Sequence, residues 1–445
     1  MPARSTVLGL AADLVAGRTT SRALVEAALD RIADPGGEGT RMFTRVYRDQ
    51  ALAAADAQDK LRGAGYVASP LAGLPVSIKD LFDVAGEVTL AGSTALDDRP
   101  PATSDAPIVA RLRAAGAVIV GKTNMTEFAY SGIGINPHYG TPGNPYDRRR
   151  APGGSSAGAP VSVADGCAVV AIGTDTGGSV RIPAAFCGVT GFKPTVERVP
   201  RDGATPLSPT LDSIGPLANS VACCAIADAV MAGEPAAAPD AMPVEGMRLG
   251  ILKGFVLDNL APEVAAAFAA ACETLSRAGA RLVDLDLAEL DEYRSLIDAG
   301  LVNAEAFAWH EELLARRGNE YDPRVRSRIE RGRSVTAAQY IRACTWRVDL
   351  AARFAARTAG YDALLLPTVA IVAPRIADCA RDEDFFRFNA LALRNTGLIN
   401  MLGRCAASLP IQPPGTPPVG LMVVGEQGGD RRLLAVARGI EGALD

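Results

Sequence analysis

Leu74-Pro75-Val76-Ser77-Ile78-Lys79 has the two-residue alternation of a β-strand, with Ser77 and Lys79 on one face and Val76 and Ile78 on the other. Downstream, Pro107–Ala115 reads as a helix opened by proline and closed by Gly116, and Ala117-Val118-Ile119-Val120-Gly121 is a short apolar strand. Strand, helix and strand in this order predict an α/β fold with a layered sheet. Upstream, the first 65 residues read as helices: an amphipathic Val7–Gly17, a run with Val25, Ala28, Leu29 and Ile32 capped by Thr20 or Ser21, and an alanine-rich 51–63. Further strands are expected at Arg248–Lys253, Arg281–Leu285, Leu364–Pro367 and Val419–Val424. Helices are expected at Pro262–Ala278, over much of 287–358, and at Asp430–Leu444. Ala232–Glu245, rich in Ala and Pro, reads as a linker, and there is no internal repeat.

The chain has 445 residues, 48% of them hydrophobic and 21% charged, which supports a large core and excludes disordered or low-complexity classes. A formal net charge of −5 offers no global basic surface to nucleic acid. With only His138 and His310, multi-histidine metal sites are excluded, and neither a metal nor a cofactor is expected. The eight cysteines sit in apolar contexts such as Ala222-Cys223-Cys224-Ala225 and read as buried thiols rather than a disulfide framework. Val7–Gly17 carries Asp13, too polar for a signal peptide's core, and the apolar run Leu364–Ala373 falls short of a membrane span. The expectation is a soluble cytoplasmic protein with no membrane partner. Two arginine runs, Arg148–Arg150 and the helix bearing Arg324, Arg326, Arg328, Arg331 and Arg333, read as solvated faces. Aromatic residues do not interleave with them; the alternative for the second run is a grip on a substrate carboxylate.

Chemistry concentrates in the Gly-, Ser- and Thr-rich stretch 131–220, unusual as a bland loop and better read as a functional scaffold. Gly173-Thr-Asp-Thr-Gly-Gly-Ser179-Val-Arg-Ile-Pro183 places paired glycines before a serine, so consecutive N–H groups can converge on an oxyanion beside a nucleophile. It is neither a phosphate loop of the G-x-x-x-x-G-K-[ST] type nor a G-x-S-x-G elbow. Pro152-Gly-Gly-Ser155-Ser-Ala-Gly158 is a second serine cluster. No histidine sits in a recognisable triad context, which leaves lysine as the base if burial keeps it neutral, and Lys79 ends an otherwise apolar strand.

With Gly121-Lys-Thr-Asn-Met125, Gly191-Phe-Lys-Pro-Thr195, Leu211-Asp-Ser-Ile-Gly-Pro216 and Pro418-Val-Gly-Leu-Met-Val-Val-Gly425, these motifs resemble the amidase signature family, most densely over 71–220. The resemblance implies a central mixed β-sheet between layers of helices. It implies a single domain with a helical 1–65, a catalytic core at 71–220 and a variable specificity region at 287–400. It further implies Ser179 as nucleophile, Ser155 on a cis peptide as bridging serine, Lys79 as base, and the N–H groups of Thr176, Gly177, Gly178 and Ser179 as oxyanion hole. Ser156, Asp175, Arg181 and Asp212 fall on supporting positions, and Ala129, Ser131 and Ser155 on substrate contacts. Gly403-Arg404-Cys405-Ala406 departs from the family's usual Gly-x-Pro-Ala and is expected to alter the pocket wall. The expected activity is hydrolysis of a small-molecule amide through an acyl-enzyme, with a homodimer left open. Alternatives are a urea or carbamate hydrolase of the same family, or the glutaminase component of a tRNA-dependent amidotransferase. That component usually carries a tyrosine-glycine-arginine run where this chain has Val196-Glu-Arg-Val-Pro-Arg201.

Overall fold

The computed structural model describes residues 5–297 and 300–444, with side chains throughout except at 294–297. Eleven strands form one sheet among the described residues: β1 (Phe43–Val46), β2 (Pro75–Lys79), β3 (Val118–Thr123), β4 (Val170–Asp175), β5 (Thr190–Lys193), β6 (Ser213–Ala218), β7 (Arg248–Leu252), β8 (Arg281–Leu285), β9 (Ala363–Pro367), β10 (Ala406–Pro410) and β11 (Gly420–Val424). Their order is β1-β3-β2-β4-β6-β5-β10-β11-β9-β7-β8. β2 runs parallel to β3 and β4, β7 runs parallel to β8 and β9, and the remaining pairs are antiparallel, so the sheet is mixed.

Helices cover both faces, which explains why the inner strands read as continuous apolar runs. In β11, Leu421 and Val423 enter one core while Met422 and Val424 enter another; in β9, Leu365 faces the first and Leu364 and Leu366 the second. β2 interrupts this pattern in one way only. Val76 and Ile78 feed the core, and Ser77 and Lys79 take the other face, where Ser77 Oγ lies 2.9 Å from Ser162 Oγ.

Two sequence expectations need correction. The N-terminal region is not wholly helical: Phe43–Val46 is an edge strand paired with β3, and Tyr47 N donates to Val120 O. Four residues are too few to show a period of two, and only the partner strand makes them extended. The arginine run 324–333 is not one solvated face. Val325 and Ile329 of the helix Pro323–Glu330 are buried, so Arg328 shares their inward side. The cap at the second helix is Thr20, whose hydroxyl accepts from Ala23 N. Ala232–Glu245 carries no strand and only the last residue of the preceding helix, and all eight cysteines are free thiols, six of them buried. No helix among the described residues is long and apolar enough to cross a membrane.

Candidate active site

Parallel pairing of β2 with β4, Ile78 opposite Ile172, brings the C-terminal ends of both strands to the same edge. Lys79 stands at the end of β2, and Thr174 and Asp175 at the end of β4. The Lys79 Nζ donates to Ser155 Oγ at 2.7 Å and to Thr174 Oγ1 at 2.8 Å, and the residue is fully buried. Burial lowers its ammonium to about 7, against the pull of Asp212 and Asp175, which would raise it. Asp80 stays on the opposite face, where its carboxylate accepts from Gly92 N at 3.0 Å.

Ser155 follows Gly154 through a cis peptide bond. A side chain at Gly154 would lie 2.7 Å from both Gly134 N and Ser131 O, so this turn and the 131–134 loop pack backbone against backbone. The Thr126 N–H donates to Ser155 O and the Gly154 N–H to Gly132 O, both at 2.9 Å. The nucleophile candidate joins this group through Ser156 N, which donates to Ser179 O at 3.4 Å; the Ser179 hydroxyl carries no hydrogen bond to another described group. Gly177, Gly178 and Ser179 likewise hold N–H groups free of protein acceptors. Gly178 has φ +136°, and a Cβ there would sit 2.2 Å from Thr396 Oγ1, so only glycine fits that turn.

An ionic and amide network supports the turn. The Arg181 guanidinium donates to both oxygens of Asp175, at 2.8 and 2.9 Å, and to Asn400 Oδ1 at 2.5 Å, with both ion-pair partners wholly buried. Burial pushes the Asp175 carboxyl up, but Arg181, Lys193 and Asn400 outweigh it and hold the group down at about 2. Asp212 accepts from Thr176 Oγ1 at 2.5 Å and from the N–H groups of Leu207 and Ser208. Burial nevertheless raises its carboxyl to about 6. Ser156 Oγ donates to Thr174 O at 3.4 Å. Arg181→Ala strands a buried carboxylate, so the variant is expected to lose about 3–5 kcal/mol of stability. A thermal melt beside the parent protein reads this as a lower midpoint.

A cavity of about 410 Å³ opens beside these groups, lined by Ala129, Thr174, Thr176, Leu207, Arg201 and Asp212. Ala129 and its neighbour Phe128 have φ +59° and +49°, a left-handed conformation that non-glycine residues seldom adopt. The Ser131 hydroxyl donates to Asn389 Oδ1 at 3.1 Å and accepts from Ile133 N, so it is engaged in holding its own loop. A larger groove of about 890 Å³, between the N-terminal helices and the 412–418 loop, contains none of the candidate residues. The Arg404 guanidinium donates to Gly425 O and Thr358 Oγ1, and it lines neither of these two cavities. A buried cation two residues ahead of β10 finds one carbonyl and one hydroxyl as acceptors in place of solvent.

Sequence reasoning did not find Thr174, the second partner of Lys79, although it lies inside the motif already singled out. It also missed Asn389, Thr396 and Asn400 on the helix Asp382–Met401. Their spacing of seven and four puts polar side chains on one helical face. That signal was readable, but an apolar-face search passes over it.

A family profile described as Amidase matches residues 23–434. The chain is 39% identical over 403 residues to the 2-amino-5-chloromuconic acid deaminase of Comamonas testosteroni, covering 89% of this chain and 87% of that one. It is 34% identical to a glutamyl-tRNA(Gln) amidotransferase component of Koribacter versatilis (strain Ellin345), covering 96% of each. A crystal structure described as an amidase superposes with a TM-score of 0.89 at 35% identity, covering 99% of this chain and all of that one. The profile spans nearly the whole chain and the fold is shared with these relatives, so the chain belongs to the amidase signature family of hydrolases that act on carbon–nitrogen bonds.

Proposed function

We propose that this chain hydrolyses the C–N bond of a small-molecule amide through an acyl-enzyme on Ser179, with Ser155 as proton relay and Lys79 as base. The observation that carries the reading is the buried Lys79 Nζ 2.7 Å from Ser155 Oγ. In its neutral form Lys79 takes the Ser155 proton while Ser155 takes that of Ser179, and Ser179 Oγ bonds to the carbonyl carbon. The oxyanion is received by the N–H groups of Thr176, Gly177, Gly178 and Ser179. The relay then runs backwards, the C–N bond breaks, and the departing nitrogen leaves protonated. Water attacks the ester, with the same groups removing its proton, and frees the acid.

Asp175 and Arg181 fix the turn that carries Ser179, and Asp212 holds Thr176 at its head. Ala129 and Ser131 present the loop facing the acyl group. The related deaminase acts on an acid, as its name states, which favours a small polar substrate. The likeness to a component of a tRNA-dependent amidotransferase favours a second reading, a glutaminase that works within a complex. The decisive assay gives the purified chain alone a panel of amides, ureas and carbamates and detects ammonia. Turnover without a partner supports the hydrolase, and turnover of glutamine only with added partner chains supports the second reading.

No group of three or more His, Cys, Asp or Glu able to hold a metal occurs among the described residues. EDTA is therefore expected to leave the rate unchanged. A loss restored by added zinc or manganese would contradict the serine mechanism.

A further inference from the structure

The segment 207–212 is held between two carboxylates. From inside, Asp212 accepts the N–H groups of Leu207 at 2.9 Å and Ser208 at 3.1 Å, along with the Thr176 hydroxyl. From outside comes Glu305, in the second turn of the helix Leu301–Arg317. One of its oxygens accepts from Ser208 Oγ at 2.5 Å and from Thr210 N at 3.1 Å, and the other accepts from the hydroxyls of Thr210 and Tyr340. Ser208, wholly buried, joins the two grips. Its N–H goes to Asp212, its hydroxyl to Glu305, and its carbonyl receives the N–H groups of Leu211 and Asp212.

The sequence explains why side chains do this work. Pro206 and Pro209 carry no N–H, so the segment cannot close a ladder of its own, and carboxylates take the donors that remain. What the segment touches gives the arrangement its consequence. Leu207, Pro209 and Asp212 line the cavity shared with Thr174 and Thr176, and the Thr176 hydroxyl donates to Asp212 at 2.5 Å. Among the described residues, the acids whose charge is felt at Lys79 are Asp212 and Asp175. Glu305 therefore reaches the base only through the segment it grips. Arg201 faces Asp212, and Tyr340 and Arg347 face Glu305.

We propose that Glu305 is a positioning residue for the hydrolysis: by gripping Ser208 and Thr210 it sets Asp212, and Asp212 in turn places Thr176 and the negative charge felt at Lys79. A helix of the 287–400 region, outside the core at 71–220, thus helps to build the catalytic centre. The proposal rests on the reading of Lys79, Ser155 and Ser179 as the catalytic residues. Its sign can be worked out. Loss of the grip frees the N–H groups of Leu207 and Ser208 from Asp212. Those two donors favour its ionised form, so without them Asp212 holds a proton more readily. With less negative charge nearby, the Lys79 ammonium loses support and the base becomes neutral at lower pH.

The test uses Glu305→Leu, which keeps the size of the side chain and removes all four acceptor contacts. Its profile of kcat/KM on one active amide is expected to rise about half a pH unit earlier than that of the wild type. On the plateau, kcat is expected to fall about 10-fold as Thr176 loses its place. Glu305→Gln should recover most of both effects. Its carbonyl can serve Ser208 Oγ and Thr210 N while its amide donates to the hydroxyls of Thr210 and Tyr340. In an Asp212→Asn background, Glu305→Leu should move the limb no further. The limb decides, since a residue that only stabilises the fold lowers the melting midpoint without moving it. A Glu305→Leu limb that coincides with wild type, or lies at higher pH, overturns the proposal. So does a further shift in the Asp212→Asn background, or a Glu305→Gln limb displaced as far as that of Glu305→Leu. Should Glu305→Leu not fold, Ser208→Ala cuts the same joint and decides alone: an earlier limb supports the proposal and an unmoved one sinks it. Lys79→Ala in the same assay separates the two failures. A limb lost in Lys79→Ala but unmoved by Glu305→Leu removes this inference only, and a limb that survives Lys79→Ala removes the catalytic reading beneath it.

Discussion

Ser179→Ala is expected to abolish turnover and acyl-enzyme formation together, a loss on the order of 10⁶ in kcat where a nucleophile acts as part of one unit. Ser155→Ala is expected to leave a slow residual rate. The two serines differ in what they touch. Ser155 already receives a hydrogen bond from Lys79, whereas the Ser179 hydroxyl is uncommitted and its turn presents free N–H groups. Removing the relay leaves a covalent route that is poorly activated, and removing the nucleophile closes the route. Mass spectrometry after fluorophosphonate treatment should place the adduct on Ser179. Ser208 is the natural control, since its hydroxyl is buried and donates to Glu305. An adduct on Ser155 or Ser208 would overturn the assignment.

The second large effect belongs to Lys79. Burial lowers its ammonium to about 7, so the neutral form that accepts a proton is depleted as pH falls below that value and complete above it. The profile of kcat/KM should therefore rise through neutrality to an alkaline plateau. Lys79→Ala should lower the rate by about two to four orders of magnitude, the usual worth of a positioned base, and flatten the limb. Lys79→Arg should not rescue it, because guanidinium remains protonated and its bulk does not fit the space between Ser155 and Thr174. Asp212, raised to about 6 by burial, ionises just below Lys79 and draws the lysine upward. Asp212→Asn should then shift the limb to lower pH. A Lys79→Arg enzyme with near-normal activity would remove lysine from the mechanism.

Which parts were readable from residues alone follows from how local each signal is. The alternation of Val76-Ser77-Ile78-Lys79 is a property of four neighbours, and the structure keeps it: two apolar side chains in the core, two polar ones on the other face. The Gly177-Gly178-Ser179 turn is likewise local, since a left-handed φ and the closeness of Thr396 leave no alternative to glycine. By contrast, β1 is extended only because β3 offers it a ladder, and its four residues have no pattern of their own. The arginine helix deceived for a related reason. Five like charges in ten residues suggest a wet face, yet the helix turns Arg328 inward with Val325 and Ile329.

Residue order was enough for the α/β class and the family, and it singled out Lys79, Ser155 and Ser179 as candidates, because each is written in short ordered motifs whose chemistry depends on residue type and spacing. It took the folded chain to show that Thr174 shares the Lys79 amine with Ser155, and that Asn389, Thr396 and Asn400 reach the site from a helix over 200 residues further along the chain. Folding also settles which arginines find acids and which do not. The physical reason is range: backbone periodicity and turn chemistry act between neighbours. Hydrogen-bond partnership, burial and the pKa of a buried amine depend on what the sheet order brings beside it, and no spacing in the chain encodes that.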